Sequence, residues 1–249
     1  KGLNPNAPMK DSGVEWLGEV PAHWRVARLK QVSSFITSGP RGWSDYIADE
    51  GDDAFLQSGD LDDEMNVKCS SAKRISPPKG AEGVRTKAQK GDVLVCITGA
   101  NTGRVGVIDY LSRDTYINQH LALVRLKKRF INSDFLAFSL SGNQGKTYFS
   151  VAQYGLKEGL SLTNVENVPV CIPPVSEQEK IIESLWLELK KISELFEISK
   201  KTTRFLSERR SALISAAVTG KIDVRGWQPS ESTSPEPILQ AAEEAATYG

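Results

Sequence analysis

Residues 176–219 read SEQEKIIESLWLELKKISELFEISKKTTRFLSERRSALISAAVT and contain neither glycine nor proline. The proline pair at 173–174 prevents a helix from extending upstream. Ser176 is a suitable N-cap with Glu179 as its capping-box partner, and Gly220 is a suitable C-terminal stop. The stretch therefore predicts one continuous helix of about 65 Å.

An apolar seam with alternating spacings of three and four residues runs along this helix. Its members are Ile182, Leu185, Leu189, Ile192, Phe196, Ser199, Thr203, Leu206, Arg210, Leu213 and Ala217. Such a heptad seam predicts a coiled coil, in which the polar members Ser199, Thr203 and Arg210 fix the register. No second long helix is predicted in the chain, so the seam implies a partner, either another copy or a missing half. The alternative is a single helix that lies along its own domain.

The composition excludes several classes of protein. The 249 residues are 39% apolar and 25% charged, which excludes a disordered or collagen-like chain. Its 31 Lys and Arg balance 31 Asp and Glu, which excludes a uniformly basic protein but not a local basic patch. No apolar run is long enough to span a membrane, and the N-terminus does not resemble a signal peptide. Because the first residue is Lys, we expect a fragment. The odd number and wide spacing of the cysteines indicate a cytoplasmic protein.

Catalytic and metal-binding motifs are missing from the sequence. The three widely spaced cysteines, Cys69, Cys96 and Cys171, are typical of reduced, buried thiols. With His23 and His120 as the only histidines, neither a zinc site nor a Ser/His/Asp triad can be assembled. The Asn-Pro-Pro-aromatic motif of an adenine methyltransferase is also missing. We therefore predict no enzyme activity, no metal and no cofactor.

Four regions follow one another along the chain. Residues 1–22 form a lead-in segment, 23–175 a mostly β domain, 176–219 the long helix, and 220–249 a tail that we expect to be partly disordered. Within the β domain the sequence predicts strands over residues 92–98, 104–109, 116–126 and 168–172, and a helix over 133–141. The predicted fold class is α+β.

Three segments of the β domain resemble ligand-binding motifs only in part. Residues 142–147 contain Gly-Lys-Thr, but Leu140 replaces the first glycine of a phosphate-binding loop, so a helix C-cap and loop is the favoured interpretation. A nucleotide-using enzyme acting through Lys146 is kept as a hypothesis. The glycine-rich residues 99–106 predict either a tight turn or a binding loop. Residues 45–64 carry nine carboxylates and no cation, which favours a solvated loop over a metal site.

Cations are concentrated between residues 65 and 129, where 13 Lys and Arg outnumber four Asp and Glu. Such a patch on a β domain favours binding to a polyanion, and Tyr116, Asn118, Gln119 and His120 add side chains able to read bases. As contact residues we predict Lys73, Arg74, Arg85, Lys87, Asn101, Thr102, Arg104 and Lys157.

Several motifs, taken in order, carry a family resemblance over about residues 1–226. They are DSGVEWLGEVPAHW (11–24), GDVLVCITG (91–99), YINQH (116–120), IPP with EQ (172–178), and ERRSALISAAVTGKIDV (208–224). In this combination the chain resembles the DNA-specificity (S) subunit of type I restriction–modification systems.

The resemblance implies a function and a set of partners. Members carry two target recognition domains, each followed by a long helix, and the two helices pack antiparallel as a spacer. Each domain reads one part of a bipartite site in double-stranded DNA. Modification (methyltransferase) subunits and motor/nuclease subunits supply the catalysis, and the S subunit has no catalytic residues. With one domain and one helix, this chain is similar to a C-terminal half. A natural half-length subunit that works as a homodimer is the second possibility, and a coiled-coil adaptor that binds protein is the alternative function.

Overall fold

The computed structural model describes residues 2–78, 80–153, 159–226 and 228. Lys157 and most of the predicted tail, residues 227 and 229–249, lie outside these residues. The strands are β1 (Met9–Asp11), β2 (Glu19–Pro21), β3 (Arg25–Arg28), β4 (Ser33–Ser38), β5 (Asp53–Leu56), β6 (Lys73–Ile75), β7 (Val93–Cys96), β8 (Val105–Val107), β9 (Thr115–Ile117), β10 (Leu121–Leu126) and β11 (Pro169–Ile172). The helices are α1 (Leu29–Val32), α2 (Ala81–Thr86), α3 (Ser133–Ser141), α4 (Asn143–Ala152), α5 (Leu162–Asn167) and α6 (Val175–Val218), and two 3-10 turns cover Trp43–Tyr46 and Ser58–Asp60.

An antiparallel four-stranded sheet in the order β4-β10-β7-β8 forms the centre of the domain. Its two inner strands are apolar at every position except Arg125, because both faces of the sheet are covered. On β7, Val93 and Val95 join one core cluster, while Leu94 and Cys96 join another on the opposite face. The two-residue alternation of a strand thus divides one apolar run between two cores.

A second, smaller sheet has three strands in the order β6-β5-β9. Its inner strand β5 pairs antiparallel with β6 and parallel with β9. Phe55 on β5 is fully buried with Trp43, Ile75 and Tyr116. The solvated loop predicted for residues 45–64 is therefore wrong in part, since this segment contains a buried strand.

Other sequence predictions are corrected in detail. The strand predicted over 116–126 is two strands, because residues 118–120 turn between β9 and β10. The loop predicted at 142–147 is wrong, since Gly142 ends α3 and the next residue begins α4. The lead-in segment contains the β1–β2 hairpin. The helix predicted at 133–141 is confirmed with the same bounds as α3.

The first turn of α6 is fixed by two neighbouring side chains. Gln178 is fully buried; its Nε2 donates to the carbonyls of Phe130 and Pro173, each at 2.9 Å, and its Oε1 accepts from the Asn132 N–H at 2.9 Å. Glu177 accepts from the Trp24 indole at 3.2 Å and lies 2.8 Å from His23 Nε2.

These contacts give a physical role to motifs that the sequence showed only as a resemblance. The Glu-Gln pair of residues 177–178 lies in the first turn of α6, and the His-Trp pair of residues 23–24 contacts that turn through Glu177. The helix itself begins at Val175, and the Pro174 carbonyl accepts from the N–H groups of Glu177 and Gln178. The predicted N-cap at Ser176 is therefore wrong, since that residue already lies inside the helix.

The far end of α6 agrees with the sequence. Gly220 has φ +73°, its N–H donates to the Ala217 carbonyl, and the Lys221 N–H donates to the Ala216 carbonyl. This pair of bonds is a Schellman motif, which needs the left-handed conformation that glycine adopts readily. The predicted stop at Gly220 is confirmed.

A buried ion pair connects β10 to the loop before β7. Arg125 donates to both carboxylate oxygens of Asp92, from Nε at 2.9 Å and from Nη2 at 2.7 Å. Asp92 is 1% exposed and also accepts from the Gln89 N–H at 2.8 Å. The hydrogen bond from Arg125 to Asp92 raises the pKa of the guanidinium further. The pair thus links the residue just before β7 to the neighbouring inner strand β10.

The described residues fall into two compact units, divided between Leu187 and Glu188. The domain boundaries drawn from the sequence stay a prediction. Within the described ranges, no helix combines the length and apolar character that a membrane crossing requires.

Candidate nucleic-acid interface

Four of the predicted contact residues lie on or beside the smaller sheet. Lys73 and Arg74 are exposed on the edge strand β6, and Arg85 is exposed near the end of α2. Lys87 forms an isolated bridge with Tyr116 on β9. Lys73 pairs with Phe55, and Phe55 pairs with Tyr116. Lys73 and Lys87 therefore lie at the two ends of one row of paired residues across the strands, and three strand spacings separate them by about 14 Å.

Some of these cations are already paired within the protein. Lys87 Nζ lies 2.5 Å from Asp114, and this hydrogen bond raises the pKa of the ammonium. Arg74 Nε donates to the Gly51 carbonyl at 2.5 Å. Within the described residues, Lys73 and Arg85 make no side-chain hydrogen bond or ion pair. Of these four predicted contact residues, Lys73 and Arg85 are therefore the two without such a partner among the described residues.

The glycine-rich loop is a tight connection between β7 and β8. Gly99 and Gly103 have φ +88° and +89°, which suit residues without a Cβ. Main-chain bonds hold the loop: Thr102 N–H donates to Gly99, Gly103 N–H to Cys96, and Arg104 N–H to Asn101. The turn interpretation describes this geometry, and a binding role for the loop stays a prediction.

The three predicted contact residues of this loop also bond to their own protein. Asn101 Nδ2 donates to the Ser58 carbonyl at 3.2 Å, and Thr102 Oγ1 donates to the Gly99 carbonyl at 2.6 Å. Arg104 donates to the Leu61 carbonyl at 3.1 Å and pairs with Asp63 at 2.8 Å. All three side chains are half-exposed. They are thus held in place with part of their surface open to solvent.

A cleft of about 580 Å³ opens between this loop and α4. Its lining includes Asn101, Thr102 and Arg104 from the loop, Lys146 and Gln153 from the α4 segment, and the carboxylates Asp62 and Asp63. Sequence reasoning placed Lys146 in a failed phosphate-loop motif and missed its position here. The sequence shows only that Lys146 follows Gly142 by about one helical turn. That spacing does not reveal which surface of the domain the lysine faces.

The 3-10 turn Ser58–Asp60 connects the cleft to the smaller sheet. Its first residue accepts the hydrogen bond from Asn101, and the charge of Lys73 acts on Asp60 at its other end. Burial raises the pKa of Asp60, while the Gln57 N–H and the nearby Lys73 and Lys68 lower it. The structure therefore brings two groups of predicted contacts to either side of one turn.

The Tyr-Ile-Asn-Gln-His segment contributes less than the sequence indicated. Tyr116 and Asn118 are buried, and Asn118 Oδ1 accepts from the His120 N–H. Burial disfavours their role in reading bases, which stays a prediction. His120 is half-exposed, with Nδ1 bonded to the Thr98 hydroxyl and Nε2 to Gln119 at 3.2 Å. Gln119 and His120 remain candidates.

Other predicted features can be placed as well. Cys96 and Cys171 are buried free thiols as predicted, whereas Cys69 is only half-buried. Across the described ranges, no three His, Cys, Asp or Glu side chains are arranged to hold a metal ion.

Along α6, the seam side chains are exposed almost throughout. Ile182 is buried, whereas Leu185 and Leu189 are each 38% exposed and Phe196 is 67% exposed. Of the remaining apolar members, Ile192, Leu206 and Leu213 are at least half exposed, and Ala217 is half-buried. An apolar row of this length is typical of an interface.

The family model described as type I restriction modification DNA specificity domain matches residues 21–186, two thirds of the chain. The chain belongs to this family. It is 22% identical over 242 residues to the type I restriction enzyme MjaVIII specificity subunit of Methanocaldococcus jannaschii, covering 90% of this chain and 52% of that protein. The predicted resemblance is thereby confirmed.

Solved structures agree on the fold. A chain from a structure addressing complex assembly and conformational transition of the type I R-M system is similar at TM-score 0.65 and 21% identity, over 87% of this chain and 48% of that one. The HsdS subunit from Thermoanaerobacter tengcongensis gives TM-score 0.59 and 21% identity, over 89% and 48%. The predicted α+β fold class is confirmed. The chain spans about half the length of each of these relatives.

Proposed function

We propose that this chain reads one half of a bipartite DNA site for a type I restriction–modification complex. The observation that carries the proposal is the family match over residues 21–186, combined with polar and cationic side chains on either side of the turn Ser58–Asp60. In this role Lys73, Arg85 and Lys146 contact phosphates, which position the duplex. Asn101, Gln119 and His120 have the donors and acceptors that discriminate base edges in the major groove.

Two ion pairs bear on how DNA would be accommodated. Arg104 is paired with Asp63, whose side chain is 82% exposed, and Lys87 with Asp114, whose side chain is 51% exposed. Exposed pairs contribute little stability, so a phosphate can replace either carboxylate at small cost. Where no cation lies beside them, the carboxylates also repel DNA phosphates. This repulsion favours binding of DNA at particular positions on the surface over nonspecific binding to the whole surface.

The same proposal assigns the chain no catalysis of its own. It directs adenine methylation by modification subunits and cleavage by motor/nuclease subunits in the cytoplasm, and α6 packs against the helix of a second recognition half. That half is either another chain or a second copy of this one. A pair of identical halves would read a palindromic interrupted site.

Selection from a random duplex library tests the proposal. One short sequence should be enriched, and its affinity should fall steeply with salt. Lys73→Ala and Lys146→Ala should weaken binding to all sequences and each lower the salt slope by about 1. Asn101→Ala should instead relax the preference at one base pair, by about 1–3 kcal/mol.

Lys10→Ala, an exposed lysine on β1, is the matched control and should leave binding unchanged. Equal affinity for every duplex would refute sequence-specific recognition and favour the adaptor function.

A further inference from the structure

We propose that Thr98 sets the base preference of this domain at one position, by fixing through His120 the hydrogen-bonding groups that Gln119 presents to DNA. The proposal rests on the proposed function and deepens it, because it names a base that the domain reads. In this scheme Thr98 is a positioning residue, Gln119 makes the contact, and the base is adenine.

The three side chains lie at the end of the central sheet that carries the glycine-rich loop. Leu121, which begins β10, pairs antiparallel with Cys96, which ends β7. Thr98 and His120 therefore come from neighbouring strands, just beyond the last paired residues. Both side chains and that of Gln119 are half-exposed. A ligand at this end of the sheet can therefore reach the group.

The main chain around the group is held in place on both strands. The His120 N–H donates to Asn118 Oδ1 at 3.1 Å, and the His120 carbonyl accepts from the Ile97 N–H at 2.9 Å. The Thr98 methyl group packs against Gly159, where a Cβ would lie 2.9 Å from Thr98 Cγ2. Because χ1 of a β-branched side chain is stiff, this contact holds the Thr98 hydroxyl in one orientation, toward His120.

The direction of the hydrogen bonds follows from the chemistry of the amide group. Gln119 Nε2 lies 3.2 Å from His120 Nε2, and an amide nitrogen only donates, so this ring nitrogen accepts. The imidazole is then neutral and carries its proton on Nδ1, which donates to the Thr98 hydroxyl oxygen. Both ring nitrogens are thus occupied within the protein, and the base contact falls to Gln119.

The Gln119 amide keeps its carbonyl oxygen and one N–H for a ligand. An acceptor beside a donor matches the N6 amino group and N7 of adenine in the major groove, where glutamine binds this base with two hydrogen bonds. Guanine presents two acceptors there, O6 and N7, one of which would face the Gln119 carbonyl. If the ring proton moves to Nε2, the amide must turn over to accept from it. Two N–H groups then point outward, which is the arrangement that guanine requires.

Thr98→Val separates this mechanism from a structural role, because it keeps the shape of the side chain and removes the oxygen that accepts from Nδ1. The ring proton should then move to Nε2, and the preference should change from adenine toward guanine. Thr98→Ser keeps the hydroxyl and should behave as the parent chain does. Thr163→Val, at an exposed threonine on α5, is the matched control and should also leave both properties unchanged.

Two measurements on the full chain test the proposal. Nitrogen NMR of the histidine rings reports which ring nitrogen carries the proton, and His120→Asn assigns the signals by removing them. Competition binding with duplexes from the library selection gives the ratio of adenine to guanine affinity at the position where Gln119→Ala abolishes the preference. This ratio should be about tenfold in the parent and should fall to about one or below in Thr98→Val.

Several results would overturn the proposal. They are an Nε2–H tautomer in the parent chain, or an adenine preference in Thr98→Val equal to that of the parent. If Thr98→Val weakens binding to all duplexes equally and keeps the parent tautomer, Thr98 has a structural role only. A base preference that Gln119→Ala leaves intact removes this inference but not the proposed function. Equal affinity for every duplex refutes the proposed function and, with it, the reading of adenine.

Discussion

Gln178 is the side chain whose loss should disturb the first turn of α6 most. Gln178→Leu keeps the size of the side chain but removes three hydrogen bonds, leaving the Phe130 and Pro173 carbonyls and the Asn132 N–H without this partner. At about 1 kcal/mol for each bond, the free energy of unfolding should fall by about 3 kcal/mol. For a unit of this size, that lowers Tm by about 6–12 °C.

Thermal unfolding followed by tryptophan fluorescence measures this loss. Glu179→Leu makes the same replacement at the next, exposed position and should change stability by less than about 0.5 kcal/mol. Gln178→Glu adds a second test, because its carboxylate faces two carbonyl oxygens and its pKa in the folded protein rises above the unfolded value. Its stability should then be highest at acid pH and decline as the pH rises through the folded pKa.

A loss below about 1 kcal/mol for Gln178→Leu would refute the reasoning. A flat pH profile for Gln178→Glu, measured relative to the parent chain, would refute it independently. Either result would mean that water or a rearranged backbone satisfies the same three groups.

Three further predictions concern the domain of residues 1–187. Asp92→Asn should lower the free energy of unfolding by about 3 kcal/mol, because it leaves the half-buried Arg125 without its carboxylate. A double-mutant cycle with Arg125→Leu should show strong coupling between the two positions. Additive losses of stability would contradict the pairing. Burial raises the pKa of the Cys171 thiol to about 11, and Cys96 is also buried. Ellman's reagent at pH 8 should therefore label only the half-buried Cys69 in the native chain. Equal labelling of all three thiols would count against the fold. Burial, and then the Asp109 carboxylate, raise the pKa of Asp134, so its contribution to stability declines as the pH rises from the unfolded pKa through the folded one. Asp134→Asn should therefore be more stable than the parent at pH 7, by less than about 1 kcal/mol, and should lose that advantage at pH 3 in urea titrations.

The elements that sequence predicted well are those with a long or purely apolar pattern. Helix α6 was predicted to within one residue of its observed bounds, because its seam repeats over five heptads and proline and glycine mark its limits. The strand β5 was missed because its three buried residues, Ala54 to Leu56, are surrounded by carboxylates. Helix α4 was missed because Gly145 and the polar residues around it resemble a loop.

The candidate site was harder to predict because its electrostatics depend on contacts between distant residues. Lys87 and Asp114 are 27 residues apart, and their pairing follows from the alignment of the smaller sheet. Net charge along the sequence counted Lys87 and Arg104 as free cations, whereas both face carboxylates. A linear charge count cannot make this distinction, since neutralisation is a property of the folded surface.

The loop between β7 and β8 owes its shape to main-chain hydrogen bonds and two glycines with positive φ. Side chains add two bonds, from Thr102 Oγ1 to the Gly99 carbonyl and from Asn101 Nδ2 to the Ser58 carbonyl, to this main-chain framework. We expect substitutions of these side chains to cost less folding free energy than substitutions of Gly99 or Gly103, whose positive φ favours glycine. A loop built in this way can change the side chains that it presents to the cleft while its backbone geometry stays the same.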